Sequence, residues 1–156
     1  MFSTCAQLIL RLCSQHTDFG AFTMLLLLDG PRGLQAMPVE GAMIGGGAGG
    51  EDSREWSDIS LPPESETEVG AVVNTGALMA RWTNDVWRAT AHRVVVPSPE
   101  VAANDRYSIA CFFDPDSDAP VSVDIKFVEE GCEPKYGPTT GGEYIIMKLK
   151  EAGANN

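Results

Sequence analysis

His16-Thr17-Asp18 places an imidazole and a carboxylate two residues apart, and the only other histidine, His92, sits in the run Thr90-Ala91-His92-Arg93-Val94-Val95. In extended backbone, residues i and i+2 project to the same face, so the first pair can reach one metal ion. Two histidines and one carboxylate occupy one face of an ion and leave three positions open, the arrangement that marks non-haem Fe(II) oxygenases. A His-x-Asp triplet alone is a common surface or capping element, and a single strand histidine is a common core residue. The combination carries the chemistry. A second pair, Arg106 and Ser108, shares a face by the same rule and joins a guanidinium fork to a hydroxyl, which suits a carboxylate. For Arg106 alone, a surface ion pair is the plain alternative.

The elements that must position these groups read mostly as short strands. Residues 7–13 are apolar enough for one strand. Ala21 to Leu28 is a continuous apolar run closed by Asp29-Gly30-Pro31, the pattern of a strand buried on both faces. Within it, Phe22 and Met24 are expected in core packing rather than as cavity lining. Gly33 to Met37 reads as a returning strand. Six glycines in residues 41–50 cost too much backbone entropy to order cheaply, so 41–55 reads as a flexible loop. Strand character resumes over Trp56 to Leu61, Val69 to Met79, Trp87 to Val96 and Arg106 to Phe113. Val121 to Val128 alternates, with Val121, Val123, Ile125 and Phe127 on one side. Only the tail reads as helix: Thr140-Gly141-Gly142-Glu143 has capping-box spacing, and Tyr144 to Glu151 follows with good helix formers until Gly153. Many short strands and one late helix predict an all-β sandwich or barrel.

The 156 residues fit one domain and suffice for a core. Twenty-two acidic side chains against 11 basic argue against nucleic acid or an anionic membrane surface as partner. Cys5, Cys13, Cys111 and Cys132 form no Cys-x-x-Cys pair, and no secretory signal is evident at the start. No window approaches the roughly 18 consecutive apolar residues of a membrane span. The expectation is a reduced, soluble, cytoplasmic protein.

Taken in order, His16-Thr17-Asp18-Phe19-Gly20, Gly33-Leu34-Gln35, Val73-Asn74-Thr75-Gly76, Arg81-Trp82-Thr83-Asn84, His92-Arg93-Val94-Val95, Arg106-Tyr107-Ser108-Ile109, Phe112-Phe113-Asp114-Pro115 and the tail from Tyr136 to Tyr144 resemble the catalytic half of the isopenicillin N synthase-like branch of Fe(II)/2-oxoglutarate dioxygenases. The resemblance runs from about residue 14 to residue 150. It implies that His16, Asp18 and His92 ligate Fe(II), and that Arg106 and Ser108 bind the distal carboxylate of 2-oxoglutarate. It also implies a double-stranded β-helix (a jelly roll) with a C-terminal helix, residues 1–156 forming the catalytic domain. The implied reaction oxidises a small organic substrate with O2, by hydroxylation or desaturation, and releases succinate and CO2.

Members of that family carry helices and further strands ahead of the triplet, whereas fifteen residues precede His16. The sandwich is therefore expected to be incomplete, with open strand edges, in either a fragment or a shortened protein. A tyrosine that often assists 2-oxoglutarate binding from that region has no counterpart here. Ala77 stands where many relatives carry aspartate, which predicts a weakened local turn. Three readings stay open at this point: the 2-oxoglutarate-dependent oxygenase, an Fe(II) oxidase that does not use 2-oxoglutarate, and an inactive metal-binding β-domain.

Overall fold

The computed structural model of the chain describes residues 13–27, 33–37, 56–59, 70–95 and 107–153. Residues 7–12, the glycine-rich segment 41–55 and Arg106 lie outside the described residues. Among the described residues the order is β1 (Phe22–Leu27), β2 (Leu34–Ala36), β3 (Ser57–Asp58), β4 (Gly70–Thr75), α1 (Ala77–Trp82), β5 (His92–Val94), β6 (Ser108–Phe113), β7 (Pro120–Val121), a 3-10 turn (Ile125–Phe127), β8 (Thr139–Thr140) and α2 (Gly141–Glu151). The strands form sheets of order β4-β1-β6, β3-β2-β5 and β7-β8. Among the described residues, strands thus outnumber helices. None of the described helices is long and apolar enough to cross a membrane.

The chain divides into two compact units, one of Met1–His16, Leu25–Val72 and Thr90–Cys111, the other of Thr17–Met24, Val73–Ala89 and Phe112–Asn156. In the first unit, Leu27, Leu34 and Ala36 are buried. There β2 is the middle strand, antiparallel to both β3 and β5, with Gln35 opposite Asp58 and Arg93, and Ala36 opposite His92.

The second unit has its own core of Ala21, Leu78, Val121 and Tyr144, against which Ala77, Met79, Trp82 and Ile145 pack. Leu78 is fully buried and Val121 nearly so; such burial contributes about 1.5–3 kcal/mol per side chain. Helix α2 begins as its sequence predicts. The Thr140 hydroxyl accepts from the Glu143 amide, and the Thr140 amide donates to the Glu143 carboxylate, closing the capping box.

Three expectations are corrected. Val69 to Met79 is not one strand: β4 stops at Thr75 and α1 follows, so the tail is not the only helix. The change tracks residue type, because β-branched Val72, Val73 and Thr75 give way to Ala77, Leu78, Met79, Ala80 and Arg81, all better helix formers. The first amides of α1 also find ready acceptors, Ala77 donating to the Asp18 carbonyl and Leu78 to those of Phe19 and Gly20. Val121 to Val128 is not a strand either. Its alternation is real, but only Val121 belongs to a strand, and Asp124 accepts from the Lys126 amide to cap the 3-10 turn. Ile125 is left 77% exposed, so periodicity there reports no buried face. Finally, β1 is not buried on both faces. Thr23 and Leu27 are buried, whereas Phe22 is partly exposed and stacks on Phe113 with ring centroids 4.7 Å apart.

Candidate metal centre

His16 and His92 face each other through an isolated antiparallel bridge: the His16 amide donates to the His92 carbonyl at 3.1 Å, and the His92 amide returns a bond to His16 at 2.9 Å. Their rings follow, with centroids 4.3 Å apart and planes inclined by 58°. In both, Nδ1 lies against a carbonyl two residues upstream, Ser14 at 2.8 Å for His16 and Thr90 at 3.0 Å for His92. A carbonyl only accepts, so Nδ1 is the donor in both contacts, which leaves Nε2 as the ring atom for a ligand. This is the usual way a protein fixes the tautomer of a metal-binding imidazole. The Cys13 sulfur lies 3.8 Å from Nδ1 of His16, an approach that sequence reasoning had not picked out.

Asp18 follows two residues after His16 and is 8% exposed. Its Oδ2 accepts from the Thr23 hydroxyl at 2.6 Å and from the Asn74 amide at 2.9 Å. Charge-assisted bonds of this kind are short and strong, and two on one oxygen fix the rotation of the carboxylate. The backbone is held as well. The Asp18 carbonyl accepts from Ala77, and Gly76 donates to the Ala21 carbonyl at 2.9 Å. A Cβ on Gly76 would collide with the Gly20 carbonyl oxygen, so this approach of chain to chain requires glycine.

One ligand atom from each of His16, Asp18 and His92 lies within 4.8 Å of the others. Two imidazole nitrogens and a carboxylate oxygen are a donor set that fits Fe(II). His16 is exposed, Asp18 buried and His92 intermediate.

Of the two residues assigned to a carboxylate co-substrate, Ser108 opens β6, while Arg106 is among the residues not described. Thr23 and Asn74 were not singled out as functional from sequence. Thr23 carried a signal nonetheless, as the only hydroxyl inside an apolar run, because a buried hydroxyl must find a partner.

Residues 9–115 match the family model described as the 2OG-Fe(II) oxygenase superfamily. The 2-oxoglutarate-Fe(II) type oxidoreductase ppzD of Metarhizium rileyi (strain RCEF 4871) is 37% identical over 137 residues, 87% of this chain and 34% of that protein. The 2-oxoglutarate-dependent dioxygenase htyE of Aspergillus rugulosus is 37% identical over 142 residues, 86% of this chain and 38% of its own length. Among solved structures, a full-length Neurospora crassa protein in complex with alpha-KG superposes with a TM-score of 0.66 at 28% identity, covering 90% of this chain and 37% of that one. The chain spans about a third of the length of the relatives it matches.

Proposed function

The chain belongs to the 2OG-Fe(II) oxygenase superfamily, and from that premise we propose that His16, Asp18 and His92 hold ferrous iron for the oxidation of a small organic molecule with 2-oxoglutarate and O2. The observation that carries this reading is the convergence of two imidazoles, each with Nδ1 turned to a backbone carbonyl, and one doubly anchored carboxylate. Bound iron, with 2-oxoglutarate and O2, would supply the oxidation. The chain supplies orientation. Ser14 and Thr90 set the ring tautomers, and Thr23 and Asn74 fix the carboxylate.

Arg106 and Ser108 are assigned the distal carboxylate of 2-oxoglutarate. Their period-two spacing and the suitability of a guanidinium fork for carboxylate support that assignment. The described sheets are read as part of a double-stranded β-helix, with residues 1–156 forming the catalytic domain or a portion of it. No described feature favours an oxidase that dispenses with 2-oxoglutarate.

The test is succinate release from 2-oxoglutarate, expected to require added Fe(II) and to vanish in His92→Ala. A His92→Ala protein with unchanged metal affinity and turnover would falsify the ligand assignment.

A further inference from the structure

β5 is only three residues long, yet it carries His92. Backbone bonds flank it on both sides, the His16–His92 pair and Val94 to Cys13 on one, Met37 to Ala91 and Val95 to Gly33 on the other, but a backbone ladder is the same whichever side chains it carries. A slip of one residue would turn the imidazole to the opposite face of the sheet. A slip of two would keep the face but move the ring by about 7 Å. Either would take it away from its place beside His16, so side chains that bond in one register only add to what the ladder fixes.

The side chains next to His92 form such a device, all within the first unit. Arg93 lies opposite Gln35, and Gln35 lies opposite Asp58 on the other neighbouring strand. The Arg93 Nε donates to Gln35 Oε1 at 2.8 Å, and Gln35 Nε2 donates to Asp58 Oδ1 at 2.9 Å. The Gln35 amide therefore uses both its ends, one on each neighbouring strand. The arginine is also held from above: its guanidinium carbon lies 4.2 Å from the centroid of the Trp56 ring, a cation–π contact. By strand alternation, Arg93, Gln35 and Asp58 share one face, while His92 and its partner Ala36 share the other.

The geometry points to Arg93 as a positioning residue for the metal centre: the chain Trp56–Arg93–Gln35–Asp58 clamps β5 across all three strands, from the face opposite the imidazole, and so holds His92 where Nε2 meets the ion. The bonds are specific to one register. In a slipped register Arg93 would face neither Gln35 nor Trp56, and the directional pairing of a fork with an amide oxygen would be lost. Lysine keeps the charge but not the planar fork, so it does not reproduce the clamp. This inference rests on His92 being a metal ligand.

The experiment is Co(II) titration of the 156-residue chain and of Arg93→Met, Arg93→Lys and Gln35→Met, read by the visible absorption of bound Co(II), with melting of each apoprotein measured alongside. Co(II) serves as probe because its spectrum reports ligand number and geometry without turnover. The expected result is a Kd raised about 10- to 100-fold in Arg93→Met and Gln35→Met, at temperatures where both remain folded. An altered Co(II) spectrum is expected with it, and the double variant should be no worse than the poorer single one. Arg93→Lys should fail to restore wild-type affinity, and it substitutes for Arg93→Met should that variant not fold. Wild-type affinity and spectrum in the variants, with only the melting temperature lowered, would overturn the positioning role and leave the ligand assignment standing. A wild-type chain whose Co(II) binding is absent, or is indifferent to His16→Ala and His92→Ala, would overturn both.

Discussion

Thr23 donates its hydroxyl to Oδ2 of Asp18 at 2.6 Å, five residues along the chain, where the carboxylate is 8% exposed. A carboxylate this buried is tolerable because donors replace the water it has lost. Thr23→Val keeps the shape and removes one donor. Loss of a hydrogen bond to a buried group costs about 1–3 kcal/mol. Loosening a metal-ligating carboxylate reduces affinity by about 10- to 100-fold. Thr23→Val and Asn74→Ala are each expected to weaken Fe(II) or Co(II) binding by that factor. Titration with unchanged Kd in both variants would remove Asp18 from the ligand set.

Gly76 stands where a side chain would strike the Gly20 carbonyl and crowd that of Asp18 at 3.0 Å. The neighbour that must give is backbone, with no rotamer to change. Gly76→Ala is therefore expected to push the 18–20 segment outward, at about 1–3 kcal/mol of overpacking strain. The shift should carry the Asp18 carboxylate with it. Chemical unfolding and metal titration of the same variant should both worsen, and a variant as stable as wild type would show that the approach has slack.

The candidate metal residues can be picked out in the sequence because their types are rare and their spacing suits strand geometry: the chain has two histidines, and the period-two rule links Asp18 to the first. α2 was legible because its capping box is local, four residues that bond to one another. What sequence did not yield was set by distant partners. α1 owes its start to the carbonyls of Asp18, Phe19 and Gly20, more than fifty residues upstream. Val121 to Val128 alternates as well as any strand, yet the Asp124 cap redirects the backbone. The roles of Thr23 and Asn74 became visible only once the fold had brought a buried carboxylate to them.

Tyr136 donates to both carboxylate oxygens of Asp85, at 2.9 and 3.0 Å. That hydrogen bond, reinforced by partial burial, raises its pKa above the ordinary 10.0. A raised pKa means that the fold prefers the protonated phenol. The stabilisation is complete below 10.0, the value in the unfolded chain, and is lost as pH rises through the higher folded value. Melting temperature is expected to fall from neutral pH to beyond 10.0, and Tyr136→Phe should flatten that decline while lowering the neutral-pH value. An identical alkaline slope in the variant would assign the loss to other groups, of which Tyr144, raised first by burial, is the next to test.

Leu78 provides the measure of the second unit's core. It has no exposed surface, and its backbone amide is tied to Phe19 and Gly20, so the side chain cannot follow a collapse of its surroundings without straining the segment beside Asp18. Leu78→Ala is accordingly expected to cost about 2–5 kcal/mol, the transfer loss plus the cavity that remains. Ile146 is equally apolar but 53% exposed on α2, and alanine is the better helix former. Ile146→Ala should fall within about 0.5 kcal/mol of wild type. Both variants measured by denaturant unfolding without metal separate core packing from ion binding: comparable losses at the two positions would mean that the side chain of residue 78 is not enclosed as described.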